Sequence, residues 1–263
     1  MGRMSSTLFD LSGKVALITG SSRGIGKAIA EAMAAHGAKV LISSRKIGPC
    51  EEVAAKIRAG GGHAHALACN ISRLPELDQL VDATIKHWGK IDVLVCNAAV
   101  NPHYGPMSTI TEDAYDKIMD TNVKSNLWLC NKVLPGMAER KDGVVIIVSS
   151  IGGMKGHNKL GIYGLSKAAD FQLARNLAVE WGRHNIRTNC IAPGIVRTDF
   201  ARALWENPET YKQAVETYPL GRIGEPDEVA GVAVMLAARA GNFITGQVFT
   251  VDGGATISGG RYS

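Results

Sequence analysis

Short runs of apolar, often β-branched residues alternate with longer helical patterns along the whole chain of 263 residues. Several of these runs, such as residues 144–148, are apolar at every position. Such runs are typical of parallel strands that helices cover on both faces, because no position then faces water. Strands are predicted at residues 14–19, 38–44, 64–69, 91–97, 143–149, 186–192 and 247–251.

Helices are predicted between these strands, at residues 24–36, 50–59, 74–88, 112–140, 162–183 and 226–239. In the first of them, Ile25, Ile29 and Met33 recur at helical spacing and form one apolar face. Strand–helix alternation at this spacing implies right-handed crossovers between parallel strands. The expected fold is therefore α/β and doubly wound (Rossmann-type), with a mostly parallel seven-stranded sheet and helices on both faces.

No linker or shift in composition divides the chain, so a single domain over residues 1–263 is predicted. Residues 1–11 and 255–263 are interpreted as tails. Residues 197–225 are the least regular part of the pattern and are predicted to form a lid over the substrate.

Charge and cysteine usage argue against several classes of function. The formal net charge is +5, but Lys and Arg are scattered instead of forming a stripe, so no nucleic-acid partner is expected. No run of 18 apolar residues exists, and no membrane partner is expected. The five cysteines form no C-x-x-C pair, and His63 and His65 lack a third ligand, so neither a disulfide framework nor a metal site is predicted. This pattern favours a reducing, cytoplasmic location.

A glycine-rich segment, residues 19–26, follows the first predicted strand and opens the first predicted helix. Glycines in this position allow a tight turn and let the backbone approach a pyrophosphate at the positive end of the helix. A turn without a ligand is the weaker reading, because the segment stands at the head of a strand–turn–helix unit. The cofactor-binding residues predicted here are Gly20, Ser22, Arg23, Gly24, Ile25 and Gly26.

The end of the second strand indicates which dinucleotide is used. Enzymes that use the unphosphorylated cofactor usually place a carboxylate here to bind the ribose hydroxyls, whereas this chain has Ser44, Arg45 and Lys46 and no acid. Arg45 and Arg23 could clamp a 2′-phosphate, and Ser44 could donate a hydrogen bond to it. NADP(H) is therefore predicted in preference to NAD(H). The alternative is two solvated surface arginines.

Tyr163 and Lys167 are four residues apart in an alanine-rich run, which places both on one face of a helix. A tyrosine phenol, with an unperturbed pKa of about 10, is a poor acid–base group near neutral pH, but a neighbouring ammonium favours the phenolate. Ser150, thirteen positions before Tyr163, could orient a substrate oxygen beside the phenol. Ser149 competes for that role, and strand alternation allows only one of the two into the site.

With these segments in hand, the chain resembles the short-chain dehydrogenase/reductase family, single-domain type, over essentially its whole length. The motifs stand in the family's order. They are the glycine loop at 19–26, Asn97-Ala98-Ala99, Asn122, Ser150, Tyr163, Lys167, and residues 193–198, 219–222 and 251–254. Residues 97–102 are also similar to the carbonyl- and retinal-reducing branch of the family.

The resemblance implies a hydride transfer between the nicotinamide C4 and a carbonyl or secondary alcohol, with Tyr163 as the general acid or base. In the family, the equivalent of Ser150 hydrogen-bonds the reacting oxygen, and that of Lys167 contacts the nicotinamide ribose and favours the phenolate. Asn122 would hold a water that links Lys167 to solvent. These four residues are the predicted catalytic set.

Further cofactor contacts are implied by the same resemblance. Asn97 would bind the adenosine-side ribose, and the Ile195 backbone and Thr198 would hold the carboxamide. The remaining predicted contacts are Asn70, Ile71, Ala98, Tyr163, Lys167, Pro193 and Gly194. The chain departs from the family pattern at Asn70, where aspartate is usual, and at Ala99, where glycine is more common. Asn70 could still accept a hydrogen bond from the adenine amine, without charge.

The substrate side is less defined. Phe200, Leu204 and Trp205 in the lid would suit an apolar or aromatic ketone, although they could equally pack a short helix onto the domain. Met154 and His157 could line the opposite wall, and Ser150 and Tyr163 complete the predicted substrate-binding set.

Two other functions remain open. Lys155 and Lys159 could attract an acidic carrier or acyl group, as in a 3-oxoacyl-carrier-protein reductase-like enzyme, although solvated loop lysines are the simpler explanation. A non-catalytic NADP(H)-binding redox sensor would commonly lack the tyrosine or the lysine, and both are present. The resemblance also implies a homo-oligomer, with a tetramer favoured, through the helices at 112–140 and 162–183.

Overall fold

The computed structural model describes residues 7–258, except for the side chain of Thr210. The predicted tails lie partly outside these residues, at 1–6 and 259–263. Seven strands are present in the described part: β1 Val15–Thr19, β2 Lys39–Ser44, β3 His63–Ala68, β4 Val93–Cys96, β5 Gly143–Val148, β6 Ile186–Pro193 and β7 Val248–Val251. Each lies within two residues of its predicted bounds.

The strands form one sheet in the order β3-β2-β1-β4-β5-β6-β7, and every pair of neighbours is parallel. The strand order reverses at the centre, between β1 and β4. In open parallel sheets, ligands bind in the crevice at the carboxyl ends of the strands on either side of such a reversal. The predicted doubly wound α/β fold is confirmed, and the site is expected at this edge.

Helices cover both faces of the sheet. They are α1 Gly24–Ala35, α2 Ile47–Ala59, α3 Leu74–Trp88, α4 Glu112–Met119, α5 Ser125–Arg140, α6 Gly161–Trp181, α7 Arg202–Trp205, α8 Pro208–Val215 and α9 Pro226–Ala237. In β1, Ile18 points into a core with residues of α1, α2 and α9, whereas Leu17 points into a second core with residues of α3, α5 and α6. Both side chains are fully buried, which explains why the strand reads as continuously apolar.

Two helix predictions need correction. The helix predicted at 112–140 is divided, because a π-helical turn at Asp120–Lys124 separates α4 from α5. Such turns add a residue to the helical repeat and are frequent at functional sites. The helix predicted from residue 50 begins earlier, at Ile47, because Pro49 is tolerated within the first turn, where its missing N–H has no helical acceptor.

The predicted lid, residues 197–225, contains a 3₁₀ turn at Asp199–Ala201 followed by α7 and α8. Tyr218 near its end is buried, and its hydroxyl accepts a 2.7 Å hydrogen bond from the backbone N–H of Ile195. This part of the segment is therefore anchored to the loop after β6. Among residues 7–258, no helix combines the length and the apolar character that crossing a membrane requires.

Candidate active site

The glycine loop lies between β1 and α1 and is packed tightly against the loop after β4. Gly20 and Gly24 have φ of +65° and +56°, a region that side chains other than glycine rarely adopt. A Cβ on Gly26 would lie 2.4 Å from the side-chain nitrogen of Asn97 and 2.5 Å from the carbonyl oxygen of Gly20. The loop therefore needs glycine both for its backbone conformation and for its close packing.

The first turn of α1 is suited to an anion. Arg23 occupies the position before the helix and makes no capping hydrogen bond with its side chain, and no acidic residue lies in the first turn. The first backbone N–H groups of a helix have no acceptor within the helix and carry a partial positive charge. Together with the glycine loop, which also contains the half-buried Ser22 and Ile25, this cradle fits the pyrophosphate of a dinucleotide.

Asn97 serves the glycine loop directly. Its side-chain NH₂ group donates to the carbonyl oxygens of Thr19 and Gly20, at 3.0 and 3.1 Å. The backbone N–H groups of Asn97 and Ala98 both donate to the Thr19 hydroxyl. The structure thus gives Asn97 a role in holding the loop that supports the dinucleotide, a role that the sequence did not indicate. Its contact with a ribose stays a prediction.

At the end of β2, the predicted phosphate-binding residues stand at the surface. Arg45 is exposed, and within residues 7–258 it forms no ion pair. Arg23 is also exposed and lies 3.6 Å from the carboxylate of Asp199 in the lid. The hydroxyl of Ser44 lies 3.1 Å from the sulfur of Cys50 and 3.3 Å from the carbonyl oxygen of Lys46. Arg45 at the β2 end is therefore available to a phosphate, whereas Arg23 would have to leave Asp199 to meet one.

Asn70, after β3, closes a local turn. Its side-chain oxygen accepts from the N–H and the hydroxyl of Ser72, at 3.3 and 2.9 Å, while its own N–H donates to Glu76. A carbonyl oxygen has two lone pairs, so both acceptor positions are already in use. An additional hydrogen bond from an adenine amine would have to displace one of them. Ile71, next to it, is buried in the core.

The two adjacent serines after β5 point in different directions. Ser149 is buried, and its hydroxyl donates a 2.8 Å hydrogen bond to the carbonyl oxygen of Lys167. Ser150 is partly exposed, and its oxygen accepts a 3.0 Å hydrogen bond from the N–H of Gly152. Because that oxygen acts as an acceptor, the hydrogen of the Ser150 hydroxyl remains available for a further acceptor. Of the two serines, Ser150 is therefore the one whose hydroxyl can still donate to another group.

Lys167 lies beneath the ring of Tyr163 on α6. Its ammonium nitrogen is 5.9 Å from the ring centroid, and its side chain is only 2 % exposed. The nitrogen donates to the carbonyl oxygen of Val148 and to the carboxylate of Asp170, each at 3.1 Å. Burial disfavours the charged form, but the charges of Asp170 and Tyr163 outweigh it and hold the pKa of Lys167 above its ordinary value.

Asn122 lies in the π-helical turn and is fully buried. Its side-chain oxygen accepts from the N–H of Val100, and its NH₂ group donates to the carbonyl of Val100 and to the hydroxyl of Ser166. The backbone carbonyl of Asn122 accepts a 2.7 Å hydrogen bond from Asn126. The side chain therefore joins the loop after β4 to α6, and the predicted link to solvent through water stays a prediction.

The loop after β6 carries the residues predicted to hold the carboxamide, which follow Pro193 and Gly194. The N–H of Ile195 donates to Tyr218, and its carbonyl oxygen accepts from Gly224. Both backbone groups of Ile195 are thus already paired. The Thr198 hydroxyl donates to Val196 and accepts from the N–H of Ala201, and its methyl group would lie 3.2 Å from a Cβ on Gly24.

Of the residues in the predicted lid, Phe200 lies beside Tyr163, with its ring centroid 6.3 Å from that of Tyr163. Trp205 lies elsewhere. Its indole N–H donates to the carbonyl of Thr198, the guanidinium of Arg197 lies 5.3 Å from its ring centroid, and it lines a cavity of about 420 Å³ beside α1. The packing alternative therefore describes Trp205 better than a substrate contact does. Leu204 is partly buried.

On the opposite wall, Met154 is exposed, and its sulfur lies 3.8 Å from the hydroxyl of Thr250. His157 is also exposed and accepts a hydrogen bond from the N–H of Lys159. Burial, reinforced by the charges of Lys155 and Lys159, lowers the pKa of His157, so this imidazole is neutral near pH 7. Neither side chain is fixed by the protein core.

Two residues at the site were missed by the sequence-based predictions, Asp170 and Asn126. Asp170 is fully buried and pairs with Lys167, and Asn126 donates a 3.0 Å hydrogen bond to Asp170. The spacing of three residues between Lys167 and Asp170 was a visible signal, but such pairs are common on solvated helix faces. Only the burial distinguishes this pair.

Known proteins resemble this chain over most of its length. A family model described as enoyl-(acyl carrier protein) reductase matches residues 20–256. The bovine (Bos taurus) protein "Dehydrogenase/reductase SDR family member 4" is 40% identical over 245 residues, which cover 93% of this chain and 88% of that protein.

Solved structures share the whole fold. A gluconate 5-dehydrogenase from Burkholderia cenocepacia, in complex with NADP and tartrate, is 30% identical with a TM-score of 0.92, covering 97% of this chain and 99% of that one. A 7α-hydroxysteroid dehydrogenase, complexed with NADH and 7-oxo glycochenodeoxycholic acid, is 34% identical with a TM-score of 0.90, covering 98% of each chain. The parallel seven-stranded sheet agrees with these similarities, and the chain belongs to the short-chain dehydrogenase/reductase family of oxidoreductases.

Proposed function

We propose that the protein is an NADP(H)-dependent oxidoreductase that interconverts a carbonyl and a secondary alcohol, with Tyr163 as the general acid or base. The observation that carries this proposal is the buried Lys167 ammonium, 5.9 Å from the centroid of the Tyr163 ring. A cation excluded from water favours a phenolate far more than an exposed one does, because little solvent screens it.

The side chains of the site divide the chemistry among them. When bound, the nicotinamide supplies or accepts the hydride. Tyr163 gives its phenolic proton to the carbonyl oxygen during reduction and takes one from the hydroxyl during oxidation. Ser150 donates the hydrogen of its hydroxyl to the same oxygen, since its own oxygen is turned toward Gly152. Lys167 balances the negative charge that remains on Tyr163 after it gives up its proton.

The preference for NADP(H) rests on charge at the end of β2. Arg45 is exposed there and Arg23 is exposed before α1, so both could meet a 2′-phosphate, and no carboxylate directly follows β2 to bind ribose hydroxyls instead. Structures similar to this one hold NADP in one case and NADH in another, so family membership alone does not select the cofactor. NAD(H) is the alternative.

The proposed substrate is an apolar or aromatic ketone, or the corresponding alcohol. Phe200, beside Tyr163, is 62% exposed and presents an aromatic surface next to the reacting group. A reductase acting on acyl-carrier thioesters is the second candidate, favoured by the description of the matching family model. Of the two lysines that could attract an acidic carrier, Lys159 has its ammonium 5.5 Å from the centroid of the Tyr104 ring, a contact that leaves its charge in place.

We further propose a homo-oligomer, with a tetramer favoured, and a cytoplasmic location. Leu165 and Val179 on α6 and Trp128 on α5 are apolar and exposed to 48%, 84% and 37%, as expected of helices that meet a second copy. All five cysteines are free and buried, which suits a reducing compartment. Light scattering of the purified protein tests the assembly.

The function is tested by following NADPH absorbance with a panel of aromatic, cyclic and aliphatic ketones and one 3-oxoacyl thioester. We expect turnover of at least one ketone by the wild type and loss of turnover in Tyr163→Phe, with NADPH binding retained. Turnover of the thioester alone would favour the carrier-protein alternative. Tight NADPH binding without turnover of any carbonyl would support a redox sensor, and unchanged turnover in Tyr163→Phe would overturn the mechanism.

A further inference from the structure

Lys167 has a second buried charge beside it that the proposed chemistry does not use. The carboxylate of Asp170 is fully inaccessible to water, and one of its oxygens lies 3.1 Å from the Lys167 nitrogen. An isolated ion is strongly disfavoured in such a place, so each of the two charges depends on the other. Removing the carboxylate would leave an unpaired ammonium inside the protein.

Asn126 fixes the carboxylate from the other side. Its NH₂ group donates to the second oxygen of Asp170 at 3.0 Å and to the backbone carbonyl of Asn122 at 2.7 Å. The side-chain oxygen of Asn126 is buried and has no hydrogen-bond partner within the described residues. The amide is thus turned so that its two hydrogens meet two acceptors, which is the orientation that an ionised Asp170 requires. A continuous chain of contacts runs from Asn122 through Asn126 and Asp170 to Lys167.

The hydrogen bonds of the lysine are also assigned by this arrangement. Of the three N–H groups on Lys167, one donates to the carbonyl of Val148 and one to Asp170. One N–H therefore remains, on the side of the nitrogen not held by these two acceptors. Without Asp170, the nitrogen would keep only the Val148 contact and would be free to turn.

The other titratable groups facing this pair are Tyr163 on α6 and three thiols. Burial raises the pKa of Cys190 on β6, and the hydrogen bond with Cys130 of α5, together with burial, raises that of Cys96 on β4. The thiols of Cys96 and Cys190 are therefore neutral at working pH. Burial also raises the pKa of Asp170, opposed by Lys167, Asn126 and Ser149. Asp170 therefore acts on Tyr163 through the charge of Lys167, which contacts both side chains.

We propose that Asp170, held by Asn126, is a positioning residue for the reaction: it keeps Lys167 charged and oriented beneath Tyr163, and so sets the pH at which the Tyr163–Lys167 pair loses its first proton. This inference rests on the proposed function. The carboxylate touches no substrate or cofactor and acts only through the lysine.

The test uses the isosteric variant Asp170→Asn in the full chain. Removing a buried anion next to the pair favours loss of a proton, so the first proton should leave at a pH about one unit or more lower than in the wild type. We expect the pH profile of kcat for carbonyl reduction to move to the acid side by that amount. On the alkaline limb of the profile, where kcat falls about tenfold per pH unit, kcat of the variant should be on the order of tenfold below that of the wild type at the same pH.

Asp92→Asn is the matched control. Asp92 is also buried and pairs with Lys90 at 2.9 Å. It accepts a 2.9 Å hydrogen bond from the N–H of Val15, at the amino-terminal ends of β1 and β4, whereas the candidate site lies at the carboxyl ends of the strands. This variant should lose stability while its pH profile stays that of the wild type. An Asp170→Asn enzyme that folds and keeps the wild-type pH profile would overturn the proposal.

A second measurement does not depend on turnover. In the unfolded chain Lys167 keeps its proton up to about pH 10.4. In folded Asp170→Asn, burial without a counter-charge should release that proton at lower pH, so the unfolded state binds more protons. The free energy of unfolding of this variant should therefore rise with pH between 7 and 10, relative to wild type and Asp92→Asn. Parallel curves would contradict the proposal.

The kinetic and unfolding measurements distinguish failure of the proposed function from failure of the proposed role of Asp170. If the wild type reduces no carbonyl, the proposed function fails, and the unfolding curves still decide whether Asp170 keeps Lys167 charged. If Asp170→Asn does not fold, Asn126→Ala replaces it, since that variant weakens the hold on Asp170 without removing a charge. Asn126→Ala should move the pH profile in the same direction by a smaller amount, and an unchanged profile would then overturn the inference.

Discussion

The Ser149 hydroxyl donates a 2.8 Å hydrogen bond to the backbone carbonyl of Lys167, which ties the end of β5 to the helix that carries Tyr163. The adjacent Ser150 is thereby turned toward the other side of the chain, where its oxygen accepts from Gly152. Ser149 holds the strand and the helix together, and the hydroxyl of Ser150 remains available to donate to another group. This division explains how two identical neighbours can have different consequences when they are changed.

The first prediction follows from that pair. Ser150→Ala removes a hydrogen-bond donor to the reacting oxygen and should lower kcat by about 10²- to 10³-fold, as loss of one such donor does elsewhere. Ser149→Ala removes a buried hydrogen bond and should lower the free energy of unfolding by about 1 kcal/mol with little change in kcat. Steady-state kinetics and urea unfolding of both variants check this. A larger loss of kcat in Ser149→Ala would reverse the assignment.

The second prediction concerns the cofactor. Arg45→Asp replaces an exposed cation at the β2 end with an anion, and it should raise the Kd for NADPH far more than that for NADH. Arg183→Asp makes the same charge change at an exposed site just before the amino-terminal end of β6. This variant should leave the ratio of the Kd values for NADPH and NADH unchanged. Nucleotide fluorescence titrations at one salt concentration measure both. Equal weakening of the two nucleotides by Arg45→Asp would defeat the preference for NADP(H).

The third prediction tests the packing of the glycine loop. A Cβ at Gly26 would meet Asn97 at 2.4 Å and the Gly20 carbonyl at 2.5 Å, so Gly26→Ala must displace the loop. Overpacking of this kind lowers stability by about 1–3 kcal/mol, and nucleotide affinity should fall with it. Gly231→Ala is the control, since nothing lies within 4 Å of its Cβ position on α9 and alanine favours a helix. An equal effect of both variants on NADPH binding would show that the loop does not require this contact.

The fourth prediction concerns the lid. Phe200→Ala removes an aromatic ring 6.3 Å from that of Tyr163, and KM for an aromatic ketone should rise about tenfold, the effect of losing one large apolar contact. Phe243→Ala removes an equally large but fully exposed ring far from the catalytic pair along the chain, and it should leave KM unchanged. If Phe200→Ala leaves KM unchanged for every ketone that turns over, residue 200 does not contact the substrate.

Much of the fold follows from local pattern. The strand patterns predicted all seven strands to within two residues, most clearly at β4 and β5, which are apolar throughout because both of their faces are covered. The single helix predicted at 112–140 was wrong, because a π-helical turn at Asp120–Lys124 divides it. That turn does not interrupt the apolar pattern along the sequence, so the helical repeat of 3.6 residues gave no sign of it. Asn122, on that turn, is placed by contacts with Val100 and Ser166, which are distant in the chain.

The sequence by itself determined the order of strands and helices, the glycine loop and the Tyr163–Lys167 pair, because each depends on residues within one or two turns of chain. Only the tertiary structure decided that Asn97 supports the glycine loop and that Trp205 lies beside α1. It also decided that Asp170 is buried as the partner of Lys167 instead of being solvated. The sequence of a charged pair three residues apart is the same whether the helix face is exposed or buried. Only the packing of β5, α5 and α6 around Lys167 and Asp170 removes the water that would otherwise screen the two charges.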